Sequence, residues 1–201
     1  MLNHRLVVLI AALSVAACAS TRTAGPPAPP PEAPTDYFPL ATGWKWAYEL
    51  EKNGEKVLAT YAVVANTGAA AEVQAGQERT RYAIRPEGIS RLQALGPNDF
   101  ILKAPIRAGA QWNIQGGSAR VVAVGETVTV PAGTFPNCAV VEEMRTEPDR
   151  VLRTTYAAGV GPILLEYQVS DGATHRFGVV LRAQLLGVTK PGQDPFGDPT
   201  Q

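Results

Sequence analysis

Few side chains in this chain of 201 residues could make or break bonds, and their types limit the chemistry open to it. There are two cysteines, Cys18 and Cys138, and two histidines, His4 and His175. A thiolate is the strongest common side-chain nucleophile, and a thiol with an imidazole base is the minimum for cysteine hydrolysis. Cys138 with His175 is therefore the one nucleophilic pair on offer, and no third group that would orient the imidazole is identifiable. Cys138 closes the stretch VTVPAGTFPNC, residues 128–138, for which turn chemistry gives a plainer account. Pro131 presets φ for a turn, Gly133 can take positive φ, and Cys138 shares a strand face with Val140 as a small apolar residue. His175 follows Asp171-Gly172 at a strand start and reads as a surface or hydrogen-bonded histidine. So few sulfur and imidazole ligands do not make a zinc site. Glu142 and Glu143 are neighbours in a strand and point to opposite faces, so they do not form a carboxylate pair. Gly159-Val160-Gly161 lacks the third glycine of a dinucleotide loop. Arg79, Arg81 and Arg85 share one strand face, which is an anion site or, more simply, a solvated surface. No catalytic residue, metal or cofactor is assigned.

The elements around these residues begin with an address. His4 and Arg5 precede an apolar run, Leu6 to Ala17, broken only by Ser14. That is the layout of a secretory signal over residues 1–17, shorter than the roughly 20 residues a membrane-spanning helix needs. Val15-Ala16-Ala17-Cys18 resembles the lipobox of bacterial lipoproteins. The resemblance implies that the Cys18 thiol is joined to diacylglycerol and that Cys18 becomes the mature N-terminus, anchoring the protein to a membrane. Ala19-Ser20 follows with no aspartate, which implies the inner leaflet of the outer membrane in a bacterial envelope, facing the periplasm. Residues 18–36 then read as lipidated cysteine and tether, with six prolines between Ala19 and Asp36. Polyproline II chain of that length reaches on the order of 50 Å. Residues 190–201, with Pro191, Pro195 and Pro199, read as a disordered tail.

Residues 37–189 are of single-domain size. Lys and Arg number 18 against 18 Asp and Glu, and this balance gives no sign of nucleic-acid binding. The dominant period is two. Trp44, Trp46, Tyr48 and Leu50 alternate with Lys45, Ala47 and Glu49, and Asn53-Gly54 supplies a hairpin turn before Val57, Ala59, Tyr61 and Val63. Turn residues at 66–68, 75–76, 86–88, 116–117, 147–149, 159–162 and 171–172 punctuate further short segments. The pattern predicts an all-β fold: a single antiparallel meander of about nine to twelve strands forming a curled sheet or barrel.

Phe38-Pro39-Leu40 with Gly43-Trp44-Lys45-Trp46, Val130-Pro131-Ala132-Gly133-Thr134-Phe135 with Cys138, and Tyr156-Ala157-Ala158-Gly159-Val160-Gly161 together resemble a loose group of β-rich bacterial envelope lipoproteins. Pro162 departs from that pattern, where a β-former would continue the strand. The resemblance implies a β-sheet lipoprotein, akin to curved-sheet carriers and anchors of the envelope, and implies no catalysis.

Three functions fit. A tethered, non-catalytic module that binds an envelope protein or glycan ranks first, because a spacer suits a domain that must reach something. A carrier or sensor of a lipid-like apolar ligand inside a curled sheet is second, with Trp44, Trp46 and Tyr48 as candidate lining and Trp112 as a candidate fourth wall. A hydrolase using Cys138 and His175 is the remote third.

Overall fold

The structure, a computed structural model, describes residues 30–94, 96–146, 149–170 and 176–193. The signal, Cys18, His175 and most of the tail lie outside the described residues. The chain forms a short helix, α1 (Pro34–Tyr37), and strands β1 (Lys45–Lys52), β2 (Glu55–Asn66), β3 (Ala70–Ala75), β4 (Glu78–Arg85), β5 (Gly88–Arg91), β6 (Asp99–Lys103), β7 (Gln111–Ile114), β8 (Gly117–Val130), β9 (Gly133–Thr146), β10 (Asp149–Ala157), β11 (Gly161–Ser170) and β12 (Phe177–Thr189). The predicted all-β meander is present, with twelve antiparallel strands in one sheet that curls into a nearly closed barrel.

Local turns set the strand order. Each strand from β1 to β6, and again from β7 to β12, pairs with its neighbour in sequence. At the β1–β2 turn Asn53 and Gly54 both have positive φ, 52° and 81°, the pair of left-handed residues that a two-residue hairpin needs. The two runs meet through β1 and β12, where Lys45 lies opposite Thr189. Pro162 is accommodated in β11 opposite a register shift at Thr155/Tyr156, where a missing backbone N–H costs little.

Between the edge strands β6 and β7 side chains replace the ladder. The Trp112 indole donates to the Phe100 carbonyl at 2.8 Å. Asp99 accepts from the Gln115 backbone N–H at 2.7 Å and pairs with Arg145 at 2.9 Å.

The two ends of the barrel differ. Residues 30–44 and the connections at 67–69, 86–87, 104–110, 131–132 and 158–160 gather at one end; the connections at 53–54, 76–77, 92–94, 96–98 and 115–116 gather at the other. At the first end the last part of the expected tether is docked. Pro34, placed at the start of α1 where its fixed φ suits a helix, is buried. The Ile106 N–H donates to Glu32 O at 2.9 Å and the Gly159 N–H to Asp36 O at 2.7 Å. Tyr37, Phe38 and Leu40 follow into the interior and, with Trp46, Ile106 and Ile163, close this end.

Candidate functional site

Above that floor the barrel keeps a cavity of about 380 Å³. Its walls are mainly aromatic and aliphatic: Phe38, Trp46, Tyr48, Tyr61, Tyr82 and Tyr156 face Leu152, Leu164 and Leu165. Strand alternation places them. Trp46 and Tyr48 are two apart on β1, and Trp46 lies opposite Tyr61 on β2. On β10, Leu152, Thr154 and Tyr156 follow one another on the inward face.

The rings are held by bonds that leave their faces inward. The Trp46 indole donates to Val160 O at 2.7 Å, and the Tyr48 hydroxyl donates to Pro162 O at 2.6 Å. Phe38 meets Tyr82 edge-on with centroids 5.4 Å apart, and Tyr48 meets Tyr61 at the same separation. Such tilted contacts suit ring quadrupoles. Burial pushes the Tyr48, Tyr82 and Tyr156 phenols above their ordinary range, so all three keep their protons.

Arg91, Glu143 and Leu152 line this chamber and also a wider, more polar space of about 1020 Å³ at the hairpin end. The wider space adds Gln93, Gln115, Arg145, Arg150 and Tyr167. The site is therefore a cup: an aromatic base, a neck of two opposite charges and a hydrophilic mouth. At the neck Tyr82 and Glu143 act on the Arg91 guanidinium and favour its charged form against the cost of burial. Glu143, only 6% exposed, has its pKa raised by burial, an effect that Arg91 and Arg145 partly offset.

The candidates read from sequence separate here. Trp46 and Tyr48 line the chamber. Trp44 stacks on Trp46 at 5.8 Å and lies under Lys190 Nζ, outside the chamber wall. Trp112 belongs to the β6–β7 seam and borders a separate outer groove with Lys103 and Arg107, so it is not a fourth wall. Cys138 is a free, fully buried thiol that donates to Phe135 O, and burial pushes its pKa up to about 11. It is protonated and out of reach at neutral pH. Arg79 pairs with Glu72 and Arg85 with Glu87 on exposed surface. Glu142 and Glu143 do part to opposite faces, Glu142 between Arg120 and Arg153 and Glu143 into the cup. Among the described residues no group of three metal-ligating side chains occurs.

Arg91 and Tyr82 are not among the residues that the sequence singles out, and Glu143, Tyr61 and Tyr156 enter its reading only as an unpaired carboxylate, a strand residue and a motif residue, not as lining. A signal exists in strand parity. Ala139 and Val141 are buried on one face of β9, which makes Glu143 the next inward position, and Ile89 does the same for Arg91.

No family model matches the chain, and no curated protein matches it. Among solved structures, one described as an exported protein with a YmcC-like fold from Bacteroides fragilis NCTC 9343 is similar at TM-score 0.49 and 14% identity, covering 77% of this chain and 99% of that one. Another, described as a lipoprotein from Parabacteroides distasonis ATCC 8503, is similar at TM-score 0.49 and 14% identity, covering 76% of this chain and 98% of that one. Likenesses this distant say nothing of what the cup binds.

Proposed function

We propose that the chain is a bacterial envelope lipoprotein, anchored through Cys18 to the periplasmic face of the outer membrane, whose barrel takes a small apolar or amphiphilic molecule as carrier or sensor. One observation supports the ligand reading above partner binding: the aromatic chamber of about 380 Å³ that opens through a polar neck. That volume lies within the roughly 300–1,000 Å³ of small-molecule sites, and such sites pair apolar walls with a few placed polar groups. Partner binding is the second reading, favoured by Leu58 and Val57 on β2, which stand 78% and 58% exposed.

The test is native mass spectrometry of the full chain purified from membranes, beside variants that fill the chamber from two walls, Ala183→Phe and Thr80→Phe. A bound small molecule on the wild type that both folded variants lose is the expected result. A wild-type chain that carries nothing and takes up no apolar dye rejects the ligand reading. Fractionation of Cys18→Ser tests the address separately: the variant should leave the membrane, because one thiol carries the anchor.

A further inference from the structure

The two arginines that approach Glu143 are in different states. Arg145 is already engaged: its guanidinium pairs with Asp99 at 2.9 Å and Glu143 at 3.7 Å and donates to Gln115 O, which ties it to the barrel seam. Arg91 lines both chambers, and among the described residues it has no carboxylate within the 4.0 Å of an ion pair; Tyr82 and, beyond that distance, Glu143 are the groups whose charges act on it most. A guanidinium has five N–H donors, and a cation withdrawn from water is costly unless an anion meets it. Its guanidinium borders a cavity whose deeper part is aromatic. Arg150, two residues before Leu152 on the inward face of β10, adds a second cation on the mouth side of the neck.

Resting on the ligand reading, we propose that the molecule is an amphiphile with an anionic head, a carboxylate or phosphate, held by Arg91 at the neck with Arg150 above it, and with its apolar part among the tyrosines below. Guanidinium binds carboxylate and phosphate through two parallel hydrogen bonds, so the head is fixed in direction as well as place. Glu143 does not block such a head. Its carboxyl meets Arg145 at 3.7 Å and, because burial raises its pKa against the partial offset of Arg91 and Arg145, takes a proton more readily than a solvated glutamate. In that form it donates to a neighbouring anion.

The experiment uses the full chain carrying Cys18→Ser, so that no detergent competes, and follows intrinsic fluorescence and calorimetry. The probes are dodecanoate, dodecyl phosphate, dodecanol, dodecyltrimethylammonium and inorganic phosphate. Dodecanoate and dodecyl phosphate should bind at least about tenfold more tightly than dodecanol, the factor that one charge-assisted hydrogen bond supplies. Arg91→Gln should abolish that preference, bringing dodecanoate and dodecyl phosphate down to the affinity of dodecanol for the same variant, with Arg91→Lys restoring part of it. Equal binding of dodecanol and dodecanoate, tighter binding of the ammonium probe, or a preference that survives Arg91→Gln overturns the anionic head while leaving the cavity reading intact. Inorganic phosphate binding as tightly as dodecyl phosphate overturns the amphiphile and makes the ligand a free anion. If no dodecyl probe binds, the cavity reading fails along with this one.

Discussion

The closed end and the open end of the barrel are built from different chemistry. At the floor, buried residues make a mainly apolar cluster in which the Trp46 indole finds a backbone partner and the buried Tyr37 hydroxyl has none among the described residues. At the mouth, Asp99, Glu143, Arg91 and Arg145 face inward where a stability-driven design would place aliphatic side chains. Burying charge costs free energy that packing does not return, so residues of this kind mark where a fold gives up stability. The floor closes the cup, and the neck carries its buried charges.

Mutations at the two ends should separate these roles. The largest effect is expected from Trp46→Ala, which empties the floor and frees the Val160 carbonyl; a loss of about 3–5 kcal/mol in urea unfolding is expected. A loss under about 1 kcal/mol would mean that the floor is not the stabilising centre. Next comes Asp99→Ala, which unpins the seam. About 2–3 kcal/mol should be lost, with amide exchange accelerated first in β6 and β7, since Arg145 keeps the Gln115 carbonyl and the longer contact to Glu143 but loses its 2.9 Å carboxylate partner, and the Gln115 N–H loses its acceptor. Gly161→Ala is smaller. Gly161 has φ of +111° and an added methyl carbon would lie 3.0 Å from the Trp46 indole nitrogen, so about 1–2 kcal/mol should go.

The smallest expected effects, and the sharpest contrast, come from the adjacent pair Glu142 and Glu143. Burial acts to raise the Glu142 pKa, but hydrogen bonds from Arg153 and Arg120 outweigh it and leave it below the ordinary 4.5. A depressed folded pKa contributes stability that is present above 4.5 and lost as pH falls through the folded value. Arg120 and Arg153 are 50% and 43% exposed, so Glu142→Gln should cost only about 1 kcal/mol at neutral pH and flatten the acid limb of the stability curve. Glu143 has the opposite sign. Its raised pKa means that stability falls as pH rises from 4.5 through the folded value, so Glu143→Gln should gain up to about 1 kcal/mol at neutral pH. Urea titrations of both variants between acid and neutral pH decide the matter, and curves of the same sign would show that the two carboxyls share one environment.

Alternation and turn chemistry make the all-β meander and its local hairpins legible in the sequence, but not the order of strands in the closed sheet. The run from Trp44 to Leu50 and the turn at Asn53-Gly54 specify a hairpin on their own, because face and reversal are both local properties. The pairing of β1 with β12 is not legible, since no local feature of Lys45 names Thr189 as its partner. Nor is the docking of residues 30–36, where proline content reads as spacer and the deciding hydrogen bonds come from Ile106 and Gly159. The cup's charges are hidden for a third reason. In β9 the buried run Cys138, Ala139, Val141, Glu142, Glu143 shows no clean alternation, so parity has to be carried through it from the strand's better-patterned half.

The pairing of β1 with β12 also sets a timetable for folding. The first strand to leave the ribosome is hydrogen-bonded to the last, and the Trp46 indole finds its acceptor at Val160, more than halfway down the chain from it. The two hairpin runs can form from local contacts, but joining them requires closing nearly the whole length of the domain, the slow and entropically costly kind of contact. Until β12 arrives, β1 is an open edge beside two unsheathed tryptophans, the arrangement that invites pairing with another molecule. A chain truncated before Phe177 should therefore aggregate rather than persist as a smaller soluble sheet.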